Sequence, residues 1–172
     1  MAQSLILVGP MGAGKTTIGR ALAQELKLPF KDIDHMVVDN AGADIPWIFD
    51  VEGEAGFRKR EHLALVEALE GEAAVIATGG GIVMEEENRE LLKCCNGYVV
   101  FLYTTVEQQF ARTAKDKNRP LLQNDDPEAK LTQLMQIREP LYRAVADCVV
   151  ETDKNKPRAI VNTIVDCWQK AN

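Results

Sequence analysis

Gly9-Pro10-Met11-Gly12-Ala13-Gly14-Lys15-Thr16-Thr17 fits the spacing G-x-x-x-x-G-K-[ST] and lies between an apolar run, Ser4 to Val8, and an amphipathic one carrying Ile18, Leu22 and Leu26. Each residue type has a physical task in holding phosphate. Glycines let successive backbone N–H groups turn toward phosphate oxygens, and the helix that follows adds the positive end of its dipole. Lys15 has the reach to meet β and γ phosphates, and Thr16 offers a hydroxyl to Mg²⁺. The pattern points to a bound nucleoside triphosphate.

A second set of residues has the chemistry to handle a phosphoryl acceptor. Asp32 and Asp34 stand two apart at the end of a short apolar run, so they need not face one target. Asp32 has the charge to hold Mg²⁺ through water, and Asp34 to accept a hydrogen bond from a hydroxyl and then its proton. Capping of the next helix is the alternative for either. Glu54, Arg58 and Glu61 fall on one helical stripe, which would fix the Arg58 fork for a carboxylate. Ordinary i,i+4 pairs on a solvated face have the same spacing. Thr78-Gly79-Gly80-Gly81 directly follows an apolar run and would let a substrate approach backbone N–H groups, or would simply turn. Arg138, ahead of Glu139-Pro140-Leu141-Tyr142, reads as a helical surface arginine until a ligand is specified.

These residues need a frame. Apolar, β-branched runs at Ser4 to Val8, Phe30 to Ile33, Val75 to Thr78, Tyr98 to Tyr103 and Cys148 to Glu151 read as strands. Helical periodicity runs from the glycine loop to about Leu26, over Gly53 to Leu69, after Glu85, over Leu131 to Val145 and over Ile160 to Trp168. Strands alternating with helices predict a parallel sheet covered on both faces, with ligands at the carboxyl ends of its strands. The polar stretch Arg112 to Asp126 predicts a mobile cover in which Arg119 brings positive charge to the transferring group.

With 172 residues, 46% of them hydrophobic, the chain is expected to form one domain, and a net charge of −6 argues against nonspecific binding to nucleic acid or to a membrane surface. Small molecules are the expected partners. Cys94, Cys95, Cys148 and Cys167 form no C-x-x-C pair and read as free thiols in a reducing cytosol. Neither a signal segment nor a run of about 20 apolar residues stands out, so a cytoplasmic protein is expected. His35 and His62 lack partners at metal-ligand spacing, and Trp47, Phe49 and Phe57 read as core or pocket wall. Glu85-Glu86-Glu87 would open a helix, where negative charge suits the dipole.

Taken in order, the loop from Gly9 to Arg20, Asp32-Ile33-Asp34, the Glu52 to Glu61 segment, Thr78 to Gly81, Arg119-Pro120-Leu121-Leu122 and Arg138 to Tyr142 closely resemble the shikimate kinase family over nearly the whole chain. The resemblance implies a three-layer α/β P-loop fold of nucleoside-monophosphate-kinase type, with a five-stranded parallel sheet flanked by helices. It also implies an acceptor-binding region at about 33–61 and a mobile lid at about 112–126. ATP and Mg²⁺ would be cosubstrates, and shikimate would be phosphorylated at its 3-hydroxyl on the route to chorismate and the aromatic amino acids.

By similarity, Gly12, Ala13, Gly14, Lys15, Thr16 and Thr17 hold the ATP phosphates. Thr16 ligates Mg²⁺, and Asp32 holds the ion from behind. Asp34 contacts the shikimate hydroxyls and acts as base, Arg58 and Arg138 hold its carboxylate, and Gly79, Gly80 and Gly81 approach its ring. Lys15, Asp34 and Arg119 form the catalytic set. Arg112 and the 155–157 loop, with Asn155 and Pro157, wall the adenine. The chain departs from the family's D-x-D-x-x-I-E pattern at Val38, which stands where the acid is expected. A monomer is expected. Two other readings remain, a kinase for another small molecule such as gluconate or a nucleotide, and a noncatalytic nucleotide-dependent switch.

Overall fold

The computed structural model describes residues 3–114 and 126–172. The strands are β1 (Ser4–Val8), β2 (Phe30–Asp32), β3 (Val75–Ala77), β4 (Gly97–Tyr103) and β5 (Cys148–Glu151), in a five-stranded sheet of order β2-β3-β1-β4-β5. All neighbours are parallel, with Ile6 level with Ile76 on one side and Val99 on the other. The helices are α1 (Lys15–Leu26), α2 (Ile33–Ala41), α3 (Ile45–Glu70), α4 (Glu86–Cys94), α5 (Val106–Thr113), α6 (Pro127–Val145) and α7 (Pro157–Ala171), with a 3₁₀ turn at Ile82–Met84.

Every residue of β1 is buried, because a central parallel strand is covered on both faces. Its side chains alternate as the pleat requires. Ile6 and Val8 join Ile33, Leu65, Phe101, Tyr142 and Val145 on one face, under α2, α3 and α6. Leu5 and Leu7 join Leu22, Val100, Ile160 and Ile164 on the other, under α1 and α7. These are the three layers the sequence predicts. Burying each such Leu or Ile contributes roughly 1.5–3 kcal/mol, so both faces are needed to offset chain entropy.

Local chemistry sets where helices begin. Asp32 ends β2 and caps α2, accepting from the His35 N–H at 3.3 Å. Asp44 caps α3 by accepting from the Trp47 N–H at 3.0 Å, and Asp126 caps α6 through Ala129 at 3.0 Å. The second strand is therefore shorter than its apolar run suggests: Ile33 opens a helix, because the Asp32 cap ends the extended chain. A helix over Gly53 to Leu69 is the second, longer part of the observed α3. Gly53, at φ 73°, breaks helical geometry within it, and a first segment precedes the break from Ile45. Trp47 is about half exposed on that segment rather than core, whereas Phe57 is buried and packs on Phe49 with ring centroids 5.0 Å apart.

The four cysteines are free thiols. Among the described residues, no helix is long and apolar enough to cross a membrane.

Candidate active site

The glycine loop leaves the carboxyl end of β1 and enters α1. Gly9, Gly12 and Gly14 have φ of 149°, 80° and 89°, the region L side chains rarely adopt. Space enforces glycine as well: a Cβ on Gly9 would lie 2.5 Å from the Leu102 carbonyl oxygen, and one on Gly12 3.1 Å from Gln109 Cα. Gly14 precedes α1 with no side-chain cap. The first N–H groups of that helix have no intrahelical acceptor, which suits an anion. Lys15 is buried and donates to the Gly9 and Pro10 carbonyls at 2.6 and 2.8 Å, so its ammonium is held inside the loop. Arg112, on α5, donates to the Gly12 carbonyl at 2.7 Å.

A cavity of about 260 Å³ opens here, lined by Gly12, Gly14, Lys15, Thr16, Thr17, Asp32, Asp34, Thr78, Gly79, Gly80 and Arg112. Residues from four separate stretches of sequence therefore share one space at the carboxyl ends of β1, β2 and β3. Thr16 donates its hydroxyl to Asp32 Oδ2 at 3.0 Å. A hydroxyl paired with a carboxylate beside a phosphate-binding loop is a donor set that fits Mg²⁺, a cation that prefers oxygen and keeps its waters. Asp32 thus has two roles, helix cap and site carboxylate, which the sequence had offered as alternatives.

Arg58 and Arg138 are not surface residues. They are only 8% and 4% exposed, and Glu61 beside them is fully buried. Arg58 Nη1 donates to Glu61 Oε1 at 2.8 Å and Nη2 to Glu54 Oε1 at 3.4 Å, so Arg58 and Glu61 face inward while Glu54 closes the pair from the exposed side, and the solvated-face reading fails for Arg58. Burial works against the Arg58 charge, but Glu61 and Glu54 outweigh it and raise its pKa. For Arg138 burial dominates and the nearby Arg58 charge adds to it, so its pKa falls below the ordinary arginine value despite Tyr142. Arg138, whose buried Nε has no hydrogen-bond partner among the described residues, is the guanidinium that calls for an anion.

The glycines after β3 bring these groups together. A Cβ on Gly81 would lie 2.4 Å from both Nη atoms of Arg58, so the guanidinium lies directly against that backbone. A Cβ on Gly80 would lie 3.3 Å from Arg138 Nη1 and 3.5 Å from the Met11 backbone N. One point thus touches both the buried arginine and the phosphate loop. Tyr142 donates its hydroxyl to the Gly80 carbonyl beneath, and burial raises its pKa to about 12.

Other expected residues lie nearer the margin. Ala13 is buried within the loop. Asn155 donates to the Glu151 and Asp153 carbonyls in the turn after β5, and Pro157 opens α7; neither lines the cavity. Arg119 and the rest of 115–125, within the 112–126 segment, lie outside the described residues. Val38 lies on α2, and its carbonyl accepts the Gly42 N–H that closes the helix, a backbone role any residue fills. Tyr142 is an addition to the site, and Thr78, at the head of the expected glycine segment, lines the cavity. The four-residue spacing of Tyr142 from Arg138 is the signal that puts both on one face of α6.

A parallel sheet of this order, a glycine loop at the tip of its central strand and a buried arginine pair packed against the glycines that follow β3 define a P-loop phosphotransferase of nucleoside-monophosphate-kinase type. The family model described as shikimate kinase matches residues 11–169. The chain belongs to the shikimate kinase family. It is 57% identical to the shikimate kinase of Pseudomonas paraeruginosa, over 97% of this chain and 96% of that one. Among solved structures, the shikimate kinase from Acinetobacter baumannii in complex with shikimate is 49% identical, covering 100% of this chain and 96% of the other, with a TM-score of 0.96. The enzyme from Aquifex aeolicus is 35% identical over 96% of each chain, with a TM-score of 0.83.

Proposed function

We propose that this protein transfers the γ-phosphate of ATP to the 3-hydroxyl of shikimate, giving shikimate 3-phosphate and ADP, as a step toward chorismate and the aromatic amino acids. The observation that carries the reading is the Gly80 backbone, against which the buried Arg138 fork and the phosphate loop at Met11 both come within about 3.5 Å of one point. An acid held by that fork would have its hydroxyls beside the phosphate-binding cavity.

Gly12 through Thr17 hold the triphosphate through backbone N–H groups, and Lys15 supplies positive charge. Thr16 and Asp32 would hold Mg²⁺, which when bound would offset charge on the phosphate oxygens. Arg58 and Arg138 grip the acceptor's carboxylate as charge-assisted forks, with Gly79, Gly80 and Gly81 against its ring. Asp34, which lines the same cavity, accepts the proton of the acceptor hydroxyl as its oxygen bonds to the γ-phosphorus and the bridging oxygen leaves with ADP. Such transfer needs in-line positioning and charge compensation more than covalent catalysis. Arg112 and the loop with Asn155 and Pro157 flank the nucleotide. Arg119, from the 112–126 lid, completes the charge at the transferring group and helps exclude water.

Residues 33–61 act as the acceptor-binding region of a single-domain, cytoplasmic monomer whose partners are small molecules rather than nucleic acid or membrane. A phosphorylated acceptor would need further cations beyond the one fork pair, which speaks against a nucleotide acceptor. A coupled assay of ADP release across shikimate, gluconate and nucleoside monophosphates tests the reading. Release dependent on shikimate is expected, and equal release with any acceptor, or none with shikimate, would overturn it.

A further inference from the structure

Glu61 is fully buried, yet only one of its carboxylate oxygens is engaged. Oε1 accepts from Arg58, and the buried Oε2 has no hydrogen-bond partner among the described residues. Oε2 and Asp34 Oδ1 lie 2.8 and 2.9 Å from one point, the place a Cβ on Gly79 would take, so two carboxylates converge on that backbone. The charged and titratable groups facing Glu61 are Arg58 on α3 with Glu54 behind it, Asp34 on α2, and Arg138 and Tyr142 on α6. Arg58 already has Glu61 and Glu54 beside it, and Glu61 has Asp34 and Arg138 near it. An acceptor carboxylate adds one more negative charge where little water screens it, and the Arg58 fork it needs is already paired.

We propose that Glu61 is a positioning residue that takes up one proton from solvent when the acid acceptor binds, so that Arg58 exchanges its internal ion pair for the acceptor's carboxylate. This rests on the acceptor reading above and deepens it: recognition of the acid becomes a proton-linked event, although the acid itself binds as an anion. Burial holds the Glu61 carboxyl near neutrality, at about 7, against the pull of Arg58 and with Asp34 adding to the rise. An anion arriving at Arg58 weakens that pull, so the proton is held more tightly in the complex. The unpartnered Oε2 is the atom that carries it.

The test is calorimetric titration of the whole protein with shikimate in two buffers of different ionisation enthalpy at each pH, HEPES and Tris at pH 8 and MES and Bis-Tris at pH 6. The slope of the observed enthalpy against the buffer's ionisation enthalpy counts protons. Uptake approaching about one proton per shikimate is expected at pH 8, falling toward zero at pH 6, where Glu61 is already protonated. Glu61→Gln, which keeps shape and the contact to Arg58, should abolish the slope while glutamine's amide still packs in place. Equal enthalpies in both buffers at pH 8, or uptake retained in E61Q, would overturn the proposal. Carbon-13 NMR of wild-type protein labelled at glutamate carboxyls needs no variant. One carboxyl should move to the protonated position on adding shikimate, and no such movement would overturn the proposal even if E61Q fails to fold. Absence of heat or shift of any kind, meaning no binding, would instead overturn the acceptor reading on which it stands.

Discussion

Thr16 donates its hydroxyl to Asp32 Oδ2 across 3.0 Å, and the other oxygen of the same carboxylate caps α2 through the His35 N–H. The first turn of α1, which follows the phosphate loop, is thereby tied to the start of the helix that carries Asp34. A change at Asp32 should therefore separate into a folding effect and a metal effect. Asn can cap but cannot supply charge. Asp32→Asn should leave the melting temperature near that of the wild type and weaken Mg²⁺ dependence of activity, whereas Asp32→Ala should also cost about 1 kcal/mol of stability. Thermal unfolding and Mg²⁺ titration of both variants check this, and an unchanged Mg²⁺ profile for Asn, or Ala melting with wild type, would contradict it.

Arg58 is held flat against Gly81 by its ion pairs, so a lysine at that site loses the fork while keeping the charge. Arg58→Lys should weaken shikimate binding by roughly tenfold to a hundredfold, the range expected from losing a charge-assisted contact of about 1.5–3 kcal/mol. ATP binding should change little. Dissociation constants for both ligands decide it, and equal losses would remove Arg58 from the acceptor site.

Asp34 lines the cavity beside Lys15 and Gly80. If it accepts the hydroxyl proton, Asp34→Asn should lower kcat by at least about a hundredfold, the usual contribution of a positioned base, with ATP affinity retained. Near-normal turnover would exclude it as the base.

Gly81 has ordinary negative φ, so its reason for being glycine is space alone: a methyl there would sit inside the Arg58 guanidinium. The guanidinium is buried and paired, and cannot swing aside freely. Gly81→Ala should raise KM for shikimate severalfold with KM for ATP nearly unchanged. Steady-state kinetics with each substrate varied reads this directly, and unchanged shikimate KM would mean that Arg58 relaxes without consequence.

Glu61 also sets a pH dependence of folding. Its pKa of about 7 stands above the ordinary 4.5, so the native state holds the proton more firmly than the unfolded chain. The stabilisation is complete below about pH 4.5 and is lost as pH rises through 7, with a slope of at most about 1.4 kcal/mol per pH unit. Denaturant unfolding between pH 5 and 8 should show wild type losing more stability over this range than Glu61→Gln. Parallel curves would contradict it.

The phosphate loop was legible because its constraints are local: positive φ at successive glycines and a lysine at fixed spacing leave few other conformations. The strands were legible for a similar reason, since burial on both faces writes a continuous apolar run such as Ser4 to Val8. The burial of Arg58 and Arg138 was not. Helical spacing says that Glu54, Arg58 and Glu61 share a stripe, but only the packing of α3 and α6 on one sheet face decides that Arg58 and Glu61 are buried while Glu54 stays exposed. Helix α2 was obscured because Ile33 continues the apolar run of β2, and the cap that ends the strand comes from Asp32, which also reads as a site residue. The break at Gly53 explains why helical periodicity was visible only from that residue onward.

The central claim is that the phosphate loop and the buried arginine pair serve one transfer, from ATP to a hydroxyl of shikimate. Mass spectrometry with phosphorus NMR of the mixture after incubating the protein with ATP, Mg²⁺ and shikimate tests it most directly. The account predicts stoichiometric ADP and a shikimate monophosphate bearing its phosphate on the 3-hydroxyl. ADP with only inorganic phosphate, or ATP left intact while shikimate is bound, would contradict it.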